Sequence, residues 1–307
     1  MFDVPILFLI FNRPDCTEQV FERIRSIKPS KLYIAADGPR SGKLNDSELC
    51  AQCRSIIQKV DWDCEVVTLF REKNLGCKDS VSGALKWFFK QVEYGIILED
   101  DCIPDSTFFH FCEELLLKYM HDERIGMVCG RNECNNYHIE ESYNYSTAGS
   151  IWGWASWKRV MKDYDENNKD LLVNFKKNIF DGTMDRFEQS RLFHQLKWSL
   201  DGSLNTWDYQ LHIQLKLSSR LYIIPKYNLI QNIGFGNDAT HTRSIDKRSS
   251  VVSKPISGNL NHPKWIIPNR NLSKAIVRID SNKLYIWYYI IVFKSLKKLK
   301  WRRSNNF

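Results

Sequence analysis

The stretch GIILEDDCIP, residues 95–104, places three acidic side chains directly after an apolar run. Residues 96–98 are continuously hydrophobic, which is typical of a strand buried on both faces of a sheet. The carboxylates of Glu99, Asp100 and Asp101 then follow without a spacer, and like charges this close repel one another. The sequence therefore predicts either a solvated turn at this point or a site that a positive partner completes.

The alternation of apolar and amphipathic segments over the first 130 residues decides the predicted fold class. The predicted strands are 6–11, 31–36, 64–70, 96–98 and 125–129, and the predicted helices are 16–26, 47–59, 79–92 and 106–119. This order predicts an α/β fold with a mostly parallel central sheet flanked by helices. In such sheets ligands bind beyond the carboxyl ends of the strands.

Four polar clusters follow predicted strands, and the predicted fold brings them to one edge of the sheet. They are Asn12-Arg13-Pro14, Asp37-Gly38, Lys73-Asn74-Leu75-Gly76 and the acids Glu99-Asp100-Asp101. Grouped carboxylate oxygens at a strand end suit Mn²⁺ or Mg²⁺, and such an ion would hold a diphosphate. The alternative is a surface turn, or caps for the helix that follows.

The other members of these clusters also have two interpretations each. Arg13 could lie near a phosphate or a base, or it could mark the entry to a helix. The Asp37 carboxylate could accept a hydrogen bond from a nucleobase, with Gly38 permitting close approach, or the two could form an ordinary turn. Lys73 and Asn74 could line a donor cleft or could simply end a strand.

The second half of the chain lacks the alternation but contains three further motifs. Trp152 and Trp154 in a loop would stack on a sugar, whereas Trp154 and Trp157 on one helix face would be core; we expect Trp157 in the core and Trp154 at the site. Asp208 is either a general base or an acid at a helix N-terminus. His241, on a glycine-bearing loop, either completes a metal or phosphate site or is exposed without a role.

The ordered series of these motifs resembles the glycosyltransferases of the GT-A fold. The series consists of PILFLIFNRP, ADG, KNLG, ILEDD, GWASW, WD and a late GFG followed by a histidine, over roughly residues 4–243. Within that fold the chain most resembles bacterial nucleotide-sugar glycosyltransferases related to the N-acetylglucosaminyltransferase I type. The resemblance implies a Rossmann-like GT-A fold and inverting transfer by a single displacement at the anomeric carbon.

The resemblance also implies roles for individual residues. Asp101 and His241 would bind Mn²⁺ or Mg²⁺, and Asp208 would deprotonate the acceptor hydroxyl. The implied donor- or nucleotide-binding residues are Arg13, Asp37, Gly38, Lys73, Asn74, Glu99 and Asp100, and the implied acceptor-binding residues are Trp152 and Trp154.

Charge and cysteine content bear on the class of partner and on the compartment. The formal charge is +8, but residues 294–307 hold four Lys, two Arg and no acid, so the rest of the chain is nearly neutral. A nearly neutral body argues against nucleic-acid binding. Nine irregularly spaced cysteines predict reduced thiols in the cytoplasm. Cys50 and Cys53 could bind zinc, or they could be small hydrophobic residues one helical turn apart.

The C-terminal tail, residues 283–307, is predicted to be an amphipathic, basic helix. Its apolar and aromatic run, residues 284–293, is too short to span a bilayer. With the basic residues behind it, the run predicts peripheral association with an anionic membrane; the alternatives are packing on the body or a dimer contact. No signal peptide is visible, so we expect the protein at the inner face of the cytoplasmic membrane.

The domain and function predictions follow from these features. Residues 1–243 are predicted to form the GT-A domain, with a nucleotide-binding half (1–130) and an acceptor-binding half (131–243), followed by a linker or wrap (244–282) and the tail. The leading function is metal-dependent transfer of a sugar from a nucleotide-diphosphate donor, such as a UDP-sugar, to a hydroxyl of a bacterial surface glycan or lipid-linked acceptor. One alternative is a sugar nucleotidyltransferase, which would want a Gly-rich loop where FNRPDC stands. The other is a non-catalytic carbohydrate-binding protein, which the tryptophan content alone permits.

Overall fold

The computed structural model describes residues 2–134, 137, 139–176, 186–234 and 251–279 of the 307-residue chain. His241 and the predicted tail, residues 283–307, lie outside the described residues. Among the residues described, no helix combines the length and the apolar character needed to cross a bilayer.

The first half of the chain forms the predicted alternation of strands and helices. Its elements are β1 (Ile6–Ile10), α1 (Pro14–Ile27), β2 (Lys31–Ala36), α2 (Asp46–Arg54), β3 (Glu65–Phe70), α3 (Gly76–Gln91), β4 (Tyr94–Glu99), β5 (Cys102–Pro104), α4 (Phe108–Lys118) and β6 (Ile125–Cys129). All five predicted strands and all four predicted helices are confirmed, although a 3-10 turn (Ser55–Lys59) completes the second helix. The short strand β5 was not predicted.

The second half mixes short strands with helices. Its elements are β7 (Tyr143–Ser146), β8 (Trp154–Trp157), α5 (Lys158–Met161), α6 (Asp170–Lys176), α7 (Arg186–Leu200), α8 (Asp208–Leu217), β9 (Leu221–Pro225), β10 (Ile230–Asn232) and α9 (Arg270–Ile279). Trp154 and Trp157 lie on a strand, so both earlier interpretations of their backbone, a helix and a loop, are wrong. Side chains three positions apart on a strand point to opposite faces, so the two rings do not share a face.

One eight-stranded sheet, ordered β3-β2-β1-β4-β8-β6-β9-β7, joins the two halves. β1 to β4 are mutually parallel, whereas β8 is antiparallel to both of its neighbours, pairing Ile97 of β4 with Trp154 and Trp154 with Cys129 of β6. The fold class is therefore a mostly parallel α/β sheet flanked by helices. The sheet includes strands from both sides of residue 130.

Burial explains the continuous apolar runs of the parallel strands. All five residues of β1 are buried, as are the last five residues of β2, because helices cover both faces of the sheet. Polar residues begin at the carboxyl end of each strand, beyond the helices that cover the sheet. Parallel strands have these ends at the same edge. The side chains that follow β1, β2 and β4 therefore meet there.

Residues 251–279 lie against the sheet and end in α9. The backbone N–H of Lys254 donates to the Asn228 carbonyl over 2.8 Å, and that of Asn269 donates to the Tyr145 carbonyl over 2.8 Å. A buried hydroxyl contact, Ser146 to Ser273 at 3.0 Å, fixes the start of α9 beside β7. The described part of the predicted linker or wrap therefore packs on the body.

The two cysteines at helical spacing are part of the interior. Cys50 and Cys53 lie one turn apart on α2 and are both buried free thiols. This position fits the interpretation as small hydrophobic residues.

Candidate active site

A partly buried arginine supplies the positive partner of the acid cluster at the end of β4. The Arg13 guanidinium, at the start of α1, donates from Nη2 to Asp100 Oδ1 and from Nη1 to Asp101 Oδ2, the latter over 2.9 Å. The Asp100 side chain is 4% exposed and that of Arg13 is 22% exposed, so the pair is largely out of water. The close spacing of the acids is therefore tolerated because an ion pair completes them.

The remaining oxygens of the two aspartates are also engaged. Asp100 Oδ2 accepts from the backbone N–H of Phe11 over 3.3 Å, and Asp101 Oδ1 accepts from Asn232 Nδ2 over 3.2 Å. A Cβ at Gly234 would lie 2.0 Å from Asp101 Oδ2, so the chain after β10 passes too close for any side chain. The end of β4 is thus enclosed by β1, α1 and the segment after β10.

Burial and mutual repulsion govern protonation in this cluster. Burial, with the charges of Asp101 and Asp100, raises the pKa of Glu99 well above its ordinary value. Burial also raises the pKa of Asp100, although Arg13 opposes this change. Burial lowers the pKa of Arg13, but Asp100 and Asp101 outweigh it and the net change is upward. Arg13 therefore stays charged and opposes the protonation of Asp100, whereas burial favours the neutral form of Glu99.

The Asp37 carboxylate joins the end of β2 to the start of α3. It accepts hydrogen bonds from Asn74 Nδ2 and from the backbone N–H groups of Leu75 and Gly76, each at about 3.0 Å. The two backbone N–H groups stand at the helix N-terminus and have no partner within the helix, so a carboxylate is stabilising there. Asp37 and Asn74 are thus brought together as predicted neighbours. Base binding by Asp37 stays a prediction, and it has to coexist with this capping role.

Gly38 is required by the approach of the neighbouring loop. A Cβ at this position would lie 2.3 Å from the backbone carbonyl carbon of Lys73. The sequence suggested a close approach to Gly38, and in this structure the backbone of Lys73 makes it. Lys73 is exposed.

Asp208 lies at the first position of α8, where Thr206 Oγ1 donates to its Oδ1. The segment before α8 is anchored to α3, because Asn205 Oδ1 accepts from the backbone N–H of Lys78 over 2.8 Å. Asp208 is also near enough for its charge to contribute to the raised pKa of Glu99. Although the residue is a helix N-terminal acid, it also lines a cavity.

That cavity has a volume of about 180 Å³ and brings Asp208 together with Trp152. The guanidinium of Arg131 stacks on the Trp152 ring at 3.3 Å from its centroid. Lys216 Nζ and Glu188 Oε1 form an ion pair of 2.8 Å, with both side chains at most 10% exposed. The wall is thus a set of charged groups held by neighbours, which suits a polar ligand with several hydroxyl groups.

A sequence pattern indicates part of this wall, although the prediction from motifs did not use it. Asp208, His212 and Lys216 follow one another at four-residue spacing, and residues at this spacing share one face of a helix. Arg131 and Glu188 lie far away in the chain, and only the tertiary fold brings them to the cavity.

Trp154 is placed differently from the prediction. None of its side chain is exposed, and its ring stacks on that of Trp207, with centroids 6.0 Å apart and an angle of 23° between the planes. It does not line the cavity, so the expectation that its ring is open to an acceptor is wrong for this structure. Trp157 is in the core, as expected.

The residues as arranged do not fit a divalent cation held by the protein. The oxygens of Asp100 and Asp101 are the right chemical type, but all four accept hydrogen bonds, two of them from Arg13. Within the described part of the chain, no group of three or more His, Cys, Asp and Glu side chains could hold a metal ion. The other predicted ligand, His241, is outside that part. Metal binding stays a prediction.

Comparisons with known proteins give no family assignment. No protein-family model matches the chain, and no curated protein sequence matches it significantly.

Several solved structures are similar at low identity. Residues 1–349 of TarS from S. aureus are 12% identical with a TM-score of 0.36, over 52% of this chain and 48% of that one. Apo UDP-glucose pyrophosphorylase is 8% identical with a TM-score of 0.37, over 74% and 93%. Mouse xyloside xylosyltransferase 1 is 6% identical with a TM-score of 0.35, over 71% and 83%. Likeness at this level carries no argument about function, and the N-acetylglucosaminyltransferase I type is not confirmed.

Proposed function

We propose that the protein is a glycosyltransferase that uses a nucleotide-diphosphate sugar, with the donor at the acid-cluster edge and the acceptor in the cavity beside Asp208. The observation that carries the proposal is the position of Asp208, which lines the same cavity as Trp152 and is near enough to Glu99 for its charge to contribute to the raised pKa of that residue. A base between two binding regions is what direct transfer needs.

The chemistry assigned to the chain is a single displacement. The Asp208 carboxylate takes the proton of an acceptor hydroxyl, whose oxygen forms a bond to the anomeric carbon of the donor sugar. The bond from that carbon to the nucleotide diphosphate breaks, and the diphosphate leaves with the bonding electrons. This outcome inverts the anomeric centre.

Arg13 is the residue at the edge best suited to face a diphosphate. Its guanidinium is fixed by two aspartates, and planar guanidinium groups bind phosphate oxygens well. In this proposal Asp100 and Asp101 orient Arg13, while the loop of Lys73 and Asn74 forms the neighbouring wall for the nucleotide.

The two alternatives are less well supported. A nucleotidyltransferase would need a phosphate-binding loop after β1, and the residues there, FNRPDC, contain no glycine. A protein that only binds carbohydrate would not need an arginine and an acid cluster at the sheet edge in addition to Asp208.

A nucleotide-sugar panel tests the proposal. Donor hydrolysis is measured first, and transfer to a mixture of acceptors is measured next. Isothermal titration of UDP with and without Mn²⁺ then decides metal dependence. If no nucleotide or nucleotide sugar binds, or if Asp101→Ala and Arg13→Gln both leave binding unchanged, the donor site is assigned wrongly.

A further inference from the structure

The excess positive charge of the chain is confined to its last part. Residues 1–250 hold 32 Lys and Arg against 35 Asp and Glu, although the whole chain has a formal charge of +8. Residues 251–279, which the structure describes, carry five cations and no acid: Lys254, Lys264, Arg270, Lys274 and Arg278. An anionic partner would meet no repelling carboxylate from this segment.

α9 presents three of these cations along one side. Arg270, Lys274 and Arg278 follow at four-residue spacing, and all three are exposed. The opposite side of the helix packs inward, with Leu272 fully buried and Val277 6% exposed. The cationic stripe is therefore fixed outward by the burial of the other face.

Two large apolar side chains are exposed directly before α9. Trp265 is 66% exposed and Ile267 is 65% exposed. Lys264 Nζ lies 5.3 Å from the centroid of the Trp265 ring. We call the set Lys264, Trp265, Ile267, Arg270, Lys274 and Arg278 the α9 surface.

We propose that the α9 surface binds an anionic lipid bilayer. Tryptophan prefers the headgroup level of a membrane, and lysine and arginine are attracted to anionic headgroups. A soluble polyanion would use the cations but would leave Trp265 and Ile267 in water. An anionic bilayer uses both kinds of side chain, so the observations favour it over an anionic glycan.

The α9 surface is joined to the candidate active site by the helix itself. Ile276 and Val277, on the inner side of α9, line the cavity that contains Asp208. Contact of the outer side with a bilayer would therefore hold this cavity next to the lipid surface. We infer that the acceptor is lipid-linked, and this part rests on the proposed function.

The test uses the full chain and sedimentation with vesicles of phosphatidylcholine, with and without phosphatidylglycerol. One variant removes the apolar pair (Trp265→Ser with Ile267→Ser), and a second removes the stripe (Arg270→Gln, Lys274→Gln and Arg278→Gln). We expect the second variant to lose about fivefold in binding to anionic vesicles for each cation, and to show a weaker salt dependence than the unmodified protein. The first variant should bind anionic vesicles at least several-fold more weakly.

Matched controls separate a local surface from general charge or hydrophobicity. The set Arg23→Gln, Lys43→Gln and Lys90→Gln removes three exposed cations elsewhere, and Leu44→Ser removes an apolar side chain that is 90% exposed. Both controls should bind vesicles like the unmodified protein.

Two results would overturn the proposal. One is equal vesicle binding by the α9 variants and their controls, since the predicted tail is present in all of them. The other is binding of polyphosphate that only the stripe variant loses, with vesicle binding unchanged in both α9 variants, which would assign the surface to a soluble polyanion. Donor hydrolysis in solution is measured on every variant, so a failure of the proposed function is recognised independently of vesicle binding.

Discussion

The parallel strands β1–β4 and the mixed strands β6–β9 build the two sides of the candidate site by different means. On the parallel side, each functional residue lies within a few positions of its strand end, as Asp37 follows β2 and Asp100 follows β4. On the mixed side, the cavity is assembled from residues distant in sequence, such as Arg131, Glu188 and Lys216. The parallel side is therefore set by local order, and the mixed side is set by packing.

The two sides also differ in how charge is held. At the parallel edge, Arg13 forms ion pairs with buried Asp100 and partly buried Asp101, whereas in the cavity cations and acids surround an open volume. A closed ion cluster contributes to structure, and an open charged cavity can take up a ligand. We expect substitutions on the parallel side to change stability first and those in the cavity to change turnover first.

The largest effect is expected for Asp208→Asn. The amide keeps the size of the side chain but cannot take a proton, so transfer should fall by about 10²–10⁴-fold. UDP binding should be unchanged, because the donor edge is intact. Asp201→Asn, an exposed acid in the preceding loop, is the control for both measurements. Turnover near that of the control would remove Asp208 as the base.

Arg13→Gln should destabilise the protein by about 3 kcal/mol, because it leaves buried Asp100 and partly buried Asp101 without their cation. Urea unfolding measures this change. Arg25→Gln is the control: Arg25 lies on α1, and the substitution breaks its exposed ion pair with Asp61. It should hardly alter the urea midpoint. Equal midpoints for the two variants would contradict the assignment of Arg13 as the partner of the cluster.

Asp46→Asn should lower stability by about 1–3 kcal/mol at pH 7, because the carboxylate accepts hydrogen bonds from Arg40 and Asn12. These bonds, chiefly that from Arg40, hold the pKa of Asp46 well below its ordinary value. The contribution is therefore present above the unfolded pKa and is lost as pH falls through the folded one.

Unfolding experiments from pH 7 down to pH 3 check this sign. The gap between the variant and the unmodified protein should narrow as the solution becomes more acidic. A gap independent of pH would mean that the charge of Asp46 plays no part.

The smallest expected effect is a difference in stability between substitutions of two tryptophans on β8, the strand that joins the two sides. Trp157 Nε1 donates to the Leu116 carbonyl over 3.0 Å, whereas Trp154 Nε1 is buried and has no hydrogen-bond partner among the residues that the structure describes. Trp157→Phe should therefore cost about 1 kcal/mol more than Trp154→Phe. Thermal unfolding of the two variants measures the difference, and the reverse order would show that packing outweighs the hydrogen bond.

The sequence predicted the parallel edge because its information is local. Strand ends can be read from where an apolar run stops, and parallel order places successive ends together. The meeting of Arg13, Asp37, Asn74 and the acids at one edge follows from this rule. The predicted roles of these residues in binding a donor stay predictions.

The mixed side could not be predicted in the same way. The insertion of β8 between β4 and β6 depends on pairing between residues about sixty and about twenty-five positions apart, and short apolar runs do not reveal their partners. This insertion buries Trp154, which the motif alone placed at the site.

Apolar periodicity and chain order are enough to predict the α/β class, the strand ends and the concentration of acids at one edge. Three other features arise only in the folded chain: Arg13 completes the acids, Asp208 lines a cavity, and α9 closes the wall of that cavity while its cations stay exposed. Those features depend on which distant surfaces pack together, and packing is a property of the whole chain rather than of any one segment.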